Sequence, residues 1–108
     1  MNRWKIPNWL EREVVARDRL GVYCGVELVA GSPDRRIRPS WEHIVNDARI
    51  VTRENIARCC VSCNASKGTK PLARWLESRY CARRGISPSS VAAVVRAALG
   101  NDENAATA

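Results

Sequence analysis

The sequence predicts a small α+β domain in which two strands form an antiparallel hairpin and a helix follows. A basic, extended stretch leads into a first strand over residues 41–45, a polar connection follows, and residues 56–60 read as a second strand. From Asn64 to about Arg79, apolar residues recur at three- and four-residue steps, as on an amphipathic helix. At 108 residues we expect one domain, with a core that is small for its surface.

The helix that follows the strands contains two residues that disturb a regular helix. Gly68 and Pro71 both lie inside its apolar pattern. Because proline lacks the amide that a helix interior uses, either the helix is kinked at Pro71 or a short turn at Asn64 precedes the main helix. Both alternatives keep a strand, strand, helix order.

Further helices are predicted on both sides of this unit. Asn8 followed three residues later by Glu11 is a capping-box pattern, which predicts a helix over residues 9–18. A Ser-Pro pair predicts the start of a helix over residues 87–99, which should stop at Gly100. We therefore expect a single domain over residues 1–100 with its centre at about 20–80, and a disordered tail over 101–108.

Charge and cysteine content narrow the class of protein. Eighteen Lys and Arg against eleven Asp and Glu give a net charge of +7, which favours a polyphosphate partner such as DNA. The five cysteines form an odd set without a signal peptide, so reduced thiols and metal binding fit better than disulfides. No stretch approaches the roughly 18 apolar residues of a membrane span. We expect a cytoplasmic protein that does not enter a membrane.

The residues that carry chemistry lie in and around the predicted hairpin. The only histidine, His43, follows a carboxylate at Glu42, and Asn55 follows a second glutamate. Residues 60–68 then read Cys-x-x-Cys-Asn-x-x-Lys-Gly. In this order and with these gaps, the motifs resemble the HNH endonucleases of the ββα-metal fold, over roughly half of the chain.

The resemblance implies a metal-dependent enzyme that nicks or cuts DNA and leaves a 5′ phosphate and a 3′ hydroxyl. Position by position, it implies that Glu42 and Asn64 bind the catalytic metal, that His43 is the general base and that Asn55 braces the loop carrying the base. A neutral histidine is a natural base at pH 7, and two protein oxygens suffice for Mg²⁺ or Mn²⁺. Since adjacent strand residues point to opposite faces, Glu42 and His43 can share a site only if the strand ends or twists between them.

The cysteines predict half of a zinc site. Cys60 and Cys63 have metal-ligand spacing. Many proteins of the family that the motifs resemble carry a second Cys-x-x-Cys pair before the first strand, but here Gly21 stands at its first position, so only Cys24 remains. Three thiolates leave a tetrahedral zinc one ligand short. Cys59 is the nearest further cysteine in sequence, but adjacent strand residues point to opposite faces, so its side chain should point away from that of Cys60. Three choices of fourth zinc ligand remain open, namely Cys59, a carboxylate or water. A packed, knuckle-like loop that binds no metal also remains open.

Basic side chains near the motifs are candidate phosphate contacts. Lys67, Lys70 and Arg74 follow the start of the predicted helix, where free amides already favour phosphate. Arg36 and Arg38 precede the first strand. Contacts of this kind position the backbone and read little sequence, so we expect weak sequence specificity and binding that falls steeply with salt.

Other functions remain alternatives. A non-catalytic, nucleic-acid-binding zinc module would keep the fold and need neither Glu42 nor His43. An interaction scaffold would present an exposed apolar face on the helix over 87–99. A cysteine nucleophile paired with His43 has nothing in the sequence to orient it. The size of the chain resembles stand-alone enzymes of phages and mobile elements, so a packaging partner or a homodimer is a further expectation.

Overall fold

The hairpin predicted from the sequence is present. The structure, a computed structural model, describes the backbone of residues 2–107 and the side chains of residues 2–100. Strands β1 (Pro39–His43) and β2 (Ile56–Cys60) pair antiparallel, with Pro39 opposite Cys60 and His43 opposite Ile56. The hairpin therefore has two ends, named here the cysteine end, at Pro39 and Cys60, and the histidine end, at His43 and Ile56.

The first strand begins earlier than predicted. It starts at Pro39 and ends at His43, whereas the sequence predicted residues 41–45. Pairing is extended at the cysteine end because the Val61 amide donates to the Arg38 carbonyl at 2.9 Å. The chain leaves regular strand geometry directly after His43, where β1 ends.

The region after the hairpin is three short helices rather than one amphipathic helix. Gly68, with a φ of 52°, ends the first of them, and Pro71 stands at the start of the second. In chain order the helices are α1 (Asn8–Arg17), α2 (Val61–Lys67), α3 (Leu72–Trp75), α4 (Arg79–Arg84) and α5 (Ala93–Thr107). Among the described residues, no helix combines the length and the apolar character that crossing a membrane requires.

Helix α1 agrees with its prediction within one residue at each end, but its start is built differently. Pro7 occupies the cap position and Asn8 already lies inside the helix, so the predicted capping box is wrong. Glu11 instead accepts a hydrogen bond from the Asn2 side chain at 2.8 Å. This bond ties the N-terminal arm to α1 rather than capping the helix.

Helix α5 begins and ends later than predicted. Ser87 and Ser90 exchange side-chain and backbone hydrogen bonds in a turn, and the helix starts only at Ala93. It continues through Gly100, where an end was expected. The predicted disorder of residues 101–108 falls on residues whose side chains lie outside the described part of the chain.

The core consists of two apolar clusters that flank the hairpin. The larger surrounds Trp75, whose ring lies edge-on to Tyr23 with 4.8 Å between ring centroids. The smaller joins α1 to β2 through Leu10, Val14 and Ile56. These two clusters hold both ends of the hairpin against helices, so side chains at either end are positioned by packed elements.

Candidate functional site

A small cavity lies at the histidine end and brings together three of the residues that the sequence singled out. It has a volume of about 110 Å³. Glu42 and His43 reach it from the end of β1, and Asn64 reaches it from α2. Its other lining residues are Trp4, Trp41, Asn46, Ala48 and Gly68. Adjacent residues of β1 share one cavity here because the strand ends at His43.

The surroundings of His43 favour the neutral form of its imidazole. Its side chain packs edge-on against Trp4, with 5.3 Å between the ring centroids, and the residue is 8% exposed. Nε2 is buried and has no hydrogen-bond partner among the described residues. Burial lowers the pKa of His43 below its ordinary value, and the nearby charge of Asp47 opposes that shift. A neutral imidazole with an unpaired nitrogen is able to accept a proton.

Glu42 is anchored on one oxygen and open on the other. Its Oε2 accepts a hydrogen bond from the Tyr23 hydroxyl at 2.6 Å and lies 3.3 Å from Lys67 Nζ. Burial raises the pKa of Glu42, while the Lys67 charge and the Tyr23 hydrogen bond oppose the rise. The two partners fix the carboxylate, and none of the described side chains hydrogen-bonds to Oε1.

Lys67 is an internal cation. The residue is 1% exposed, and the structure contradicts the prediction that it contacts phosphate at the surface. Its ammonium makes no hydrogen bond to a described residue, so its charge is balanced by proximity to Glu42. A buried ammonium is tolerated only with such a partner, because removing either charge leaves the other uncompensated.

Asn55 ties down the loop that follows His43. Its Oδ1 accepts from the Val45 amide at 2.7 Å, and its Nδ2 donates to the carbonyls of Val45 and Ile50 at 3.2 and 3.1 Å. The Ile44 amide also donates to the Asn55 carbonyl at 2.9 Å. This buried side chain therefore fixes the backbone on both sides of the loop, which is the geometry that a brace requires.

Asn64 docks α2 onto β1. Its Nδ2 donates to Ser40 Oγ at 3.0 Å and to the Trp41 carbonyl at 2.9 Å. It is not a helix cap, because Cys60 holds that position and accepts from the Cys63 amide. With its nitrogen committed to β1, the amide oxygen is the atom left to bind a ligand.

The other side chains predicted to contact phosphate differ in their exposure and in the partners they already have. Arg74 is exposed, and Lys70 is exposed with its ammonium 3.0 Å from the Ser66 carbonyl. Arg36 is exposed but pairs with Asp34 at 3.2 Å. Arg38 is half-buried and donates to the Ser32 carbonyl. Of these four side chains, Lys70 and Arg74, which follow α2, are therefore the most accessible to a phosphate.

A basic groove, missed from the sequence, adjoins the cavity. It has a volume of about 500 Å³ and shares Trp4 and Ala48 with the histidine cavity, and it is also lined by Arg3, Lys5 and Arg49. Lys5 has a φ of 60°, a left-handed turn of the N-terminal arm that precedes α1. No motif marks this arm, so its place beside His43 could not be read from sequence spacing.

Three cysteines form a cluster near the other end of the hairpin. The ligand atoms of Cys24, Cys60 and Cys63 all lie within 4.8 Å of one another, and the Sγ atoms of Cys24 and Cys60 are 3.9 Å apart. Thiolates around a tetrahedral zinc, with bonds near 2.3 Å, stand about 3.8 Å apart. The cluster could therefore hold a metal such as zinc. Cys59 is not in it, and its Sγ lies 3.7 Å from Ser40 Oγ.

Polar groups from α4 contact the cluster. The Tyr80 hydroxyl lies 3.2 Å from Cys63 Sγ and accepts from Arg84 Nη1 at 2.8 Å. Hydrogen bonds from the Cys24 and Cys63 thiols lower the pKa of Cys60, which favours a thiolate there. Tyr80 and Arg84 lie outside any motif, so no sequence pattern indicated their place beside the cysteines.

Comparisons of this chain with models of protein families, with curated proteins and with solved structures found no match. The functional conclusions therefore depend on geometry. The histidine end offers a neutral base beside two oxygen donors, and the cysteine cluster offers three soft donors. These are different chemistries, held by the two ends of one hairpin.

Proposed function

We propose that this chain is a divalent-metal-dependent endonuclease of the HNH type, which hydrolyses DNA phosphodiester bonds with His43 as general base. One observation supports this most strongly. The only histidine is buried with an unpaired Nε2, in a cavity that it shares with a carboxylate and an amide. A histidine that served packing alone would not need two oxygen donors beside it.

The donor set suits a hard cation. The oxygens left open, Glu42 Oε1 and Asn64 Oδ1, are of the kind that Mg²⁺ and Mn²⁺ prefer, and such ions need only one or two protein ligands. Glu42 and Asn64 would hold the cation. When bound, it supplies the positive charge that stabilises the phosphate and the leaving oxygen.

The remaining steps belong to the protein. His43 accepts the proton of the attacking water, for which the cavity of about 110 Å³ has room. Asn55 keeps the loop after His43 in place, and Tyr23 and Lys67 keep the Glu42 carboxylate in one orientation. Trp4 covers one side of the imidazole and limits its rotation.

DNA would lie across the basic groove beside the cavity. Arg3, Lys5 and Arg49 line that groove, and exposed Lys70 and Arg74 add charge after α2. Arg49 is 2.8 Å from Asp47, so part of its charge is already balanced. Such contacts hold the phosphate backbone without reading bases. Site choice would then depend on DNA shape or on a partner.

A supercoiled plasmid tests the proposal. The full chain is incubated with it in Mg²⁺, Mn²⁺ or EDTA, beside His43→Ala and a control, Glu77→Gln, which changes an exposed carboxylate outside the cavity. We expect nicked or linear DNA only with the cation, a loss of about 100-fold or more in His43→Ala, and no loss in the control. Cleavage that is equal in His43→Ala and in the control would refute His43 as the base.

A second function is favoured by the ion pair at Glu42. Because Lys67 already balances that carboxylate, the site attracts a cation less than a free carboxylate would. A non-catalytic nucleic-acid-binding zinc module is therefore the alternative. It predicts no cleavage with any cation, together with salt-dependent DNA binding that is the same in the parent chain and in His43→Ala.

A further inference from the structure

Gly21 lies beside the cysteine cluster. A Cβ added there would stand 3.6 Å from Cys24 Sγ and 3.7 Å from the Leu28 side chain. Both are ordinary van der Waals distances, as is the 3.6 Å to the Cys60 amide nitrogen, so the position adjoins the cluster and accommodates a Cβ. Cys59, the other thiol nearby in sequence, lies on Ser40 instead.

No further cysteine, histidine, aspartate or glutamate joins the three cysteines among the described residues. The Cys24, Cys60 and Cys63 group contains no carboxylate or histidine. Cys24 is its partly exposed member, whereas Cys60 and Cys63 are buried, so solvent reaches the cluster from the Cys24 side. Gly21 and Cys24 belong to the same turn, in which the Gly25 amide donates to the Gly21 carbonyl at 2.9 Å.

We propose that a divalent metal bound by these three cysteines takes its fourth ligand from solution, at the position beside Gly21. Water occupies this position at rest, and a small thiol replaces it. In that exchange the thiol releases its proton to the buffer, its sulfur bonds to the metal, and the water leaves. No oxidation or reduction is involved.

The surroundings support a three-thiolate complex. Three thiolates on a divalent metal carry one net negative charge, which requires compensation in a partly buried site. The Tyr80 hydroxyl lies 3.2 Å from Cys63 Sγ and 2.9 Å from Ser62 Oγ, and Arg84 donates to its oxygen, so the tyrosine links a guanidinium to the edge of the cluster. Outer contacts of this kind orient ligands and strengthen metal binding. The proposal does not depend on whether the chain cuts DNA.

Cobalt spectroscopy tests it on the full chain. Co²⁺ replaces zinc, its near-ultraviolet thiolate bands count sulfur ligands, and its visible d–d bands report the fourth ligand. The parent chain, Gly21→Cys and Gly21→Ala are each titrated with 2-mercaptoethanol. Gly21→Ala is the matched control because it adds a Cβ without a donor. We expect the Co²⁺ spectra of the parent chain and of Gly21→Ala to change from three to four thiolate ligands as the thiol is added. The spectrum of Gly21→Cys should show four thiolate ligands before any thiol is added and should not change during the titration.

The remaining outcomes contradict the proposal. If the parent chain binds no Co²⁺, the cluster is not a metal site. If it binds Co²⁺ but the spectrum does not change when the thiol is added, a protein group already occupies the fourth position. If Gly21→Cys responds like the parent, the open position is not beside Gly21. Should Gly21→Cys fail to fold, the titration of the parent chain still decides whether the fourth ligand is exchangeable.

Discussion

The histidine end and the cysteine end of one short hairpin are organised in opposite ways. At the histidine end the protein provides the partners, since Asn55 bonds to the loop and the Glu42 carboxylate is held by Tyr23 and Lys67. At the cysteine end the sulfurs contact one another, the Cys63 amide and the Tyr80 hydroxyl. The histidine end is therefore preorganised by hydrogen bonds and an ion pair of the fold, whereas the cysteine end presents three packed sulfurs that could hold a metal.

The largest effect should come from removing the internal cation. Lys67→Met leaves the buried Glu42 carboxylate uncompensated, so we expect the free energy of unfolding to fall by about 3 to 5 kcal/mol. Urea denaturation measures it, with exposed Lys70→Met as the matched control, for which little change is expected. Adding Glu42→Gln to Lys67→Met should restore part of the loss. If Lys67→Met is as mild as Lys70→Met, the histidine end is not preorganised by this pair.

A smaller loss should follow from removing the brace. Asn55→Ala leaves the Val45 amide and the carbonyls of Val45 and Ile50 without the side-chain partner, which we expect to cost about 2 kcal/mol of unfolding free energy. Exposed Asn8→Ala is the control, with a change of less than about 0.5 kcal/mol. Zinc affinity should stay unchanged in both variants. A loss of zinc affinity in Asn55→Ala would show that the two ends are coupled.

At the cysteine end, Tyr80→Phe should weaken metal binding without affecting the histidine end. It removes only the hydroxyl beside Cys63, and outer hydrogen bonds of this kind are worth about 10- to 100-fold in metal affinity. Competition with a chromophoric chelator measures zinc affinity, and Ser87→Ala, which removes a hydroxyl from an exposed turn, is the control. Equal affinities for the two variants would exclude Tyr80 from the metal site.

The sequence predicted local features better than long-range ones. The predicted bounds of β2 agree to the residue and those of α1 to within one residue at each end, because each element depends largely on its own side chains. The spacing of the motifs also selected residues that converge on one cavity. The interior position of Lys67 was not predictable, since it depends on a partner 25 positions away at Glu42. The same holds for Trp4, which reaches His43 only because the N-terminal arm folds back.

The smallest effect is the pH dependence that His43 gives to stability. Because burial lowers its pKa, the folded protein binds fewer protons at this residue than the unfolded chain does, so the His43 contribution to stability rises with pH and is fully present above its ordinary value of about 6.5. The difference in unfolding free energy between the parent chain and His43→Gln isolates this contribution. It is measured from about pH 5 to 7 in EDTA, so that metal release at the cysteines plays no part. The difference should increase with pH in favour of the parent chain. A flat difference would mean that folding does not lower the pKa of His43. A decreasing difference would mean that folding favours the charged imidazole, and an imidazole that already carries its proton could not act as the base.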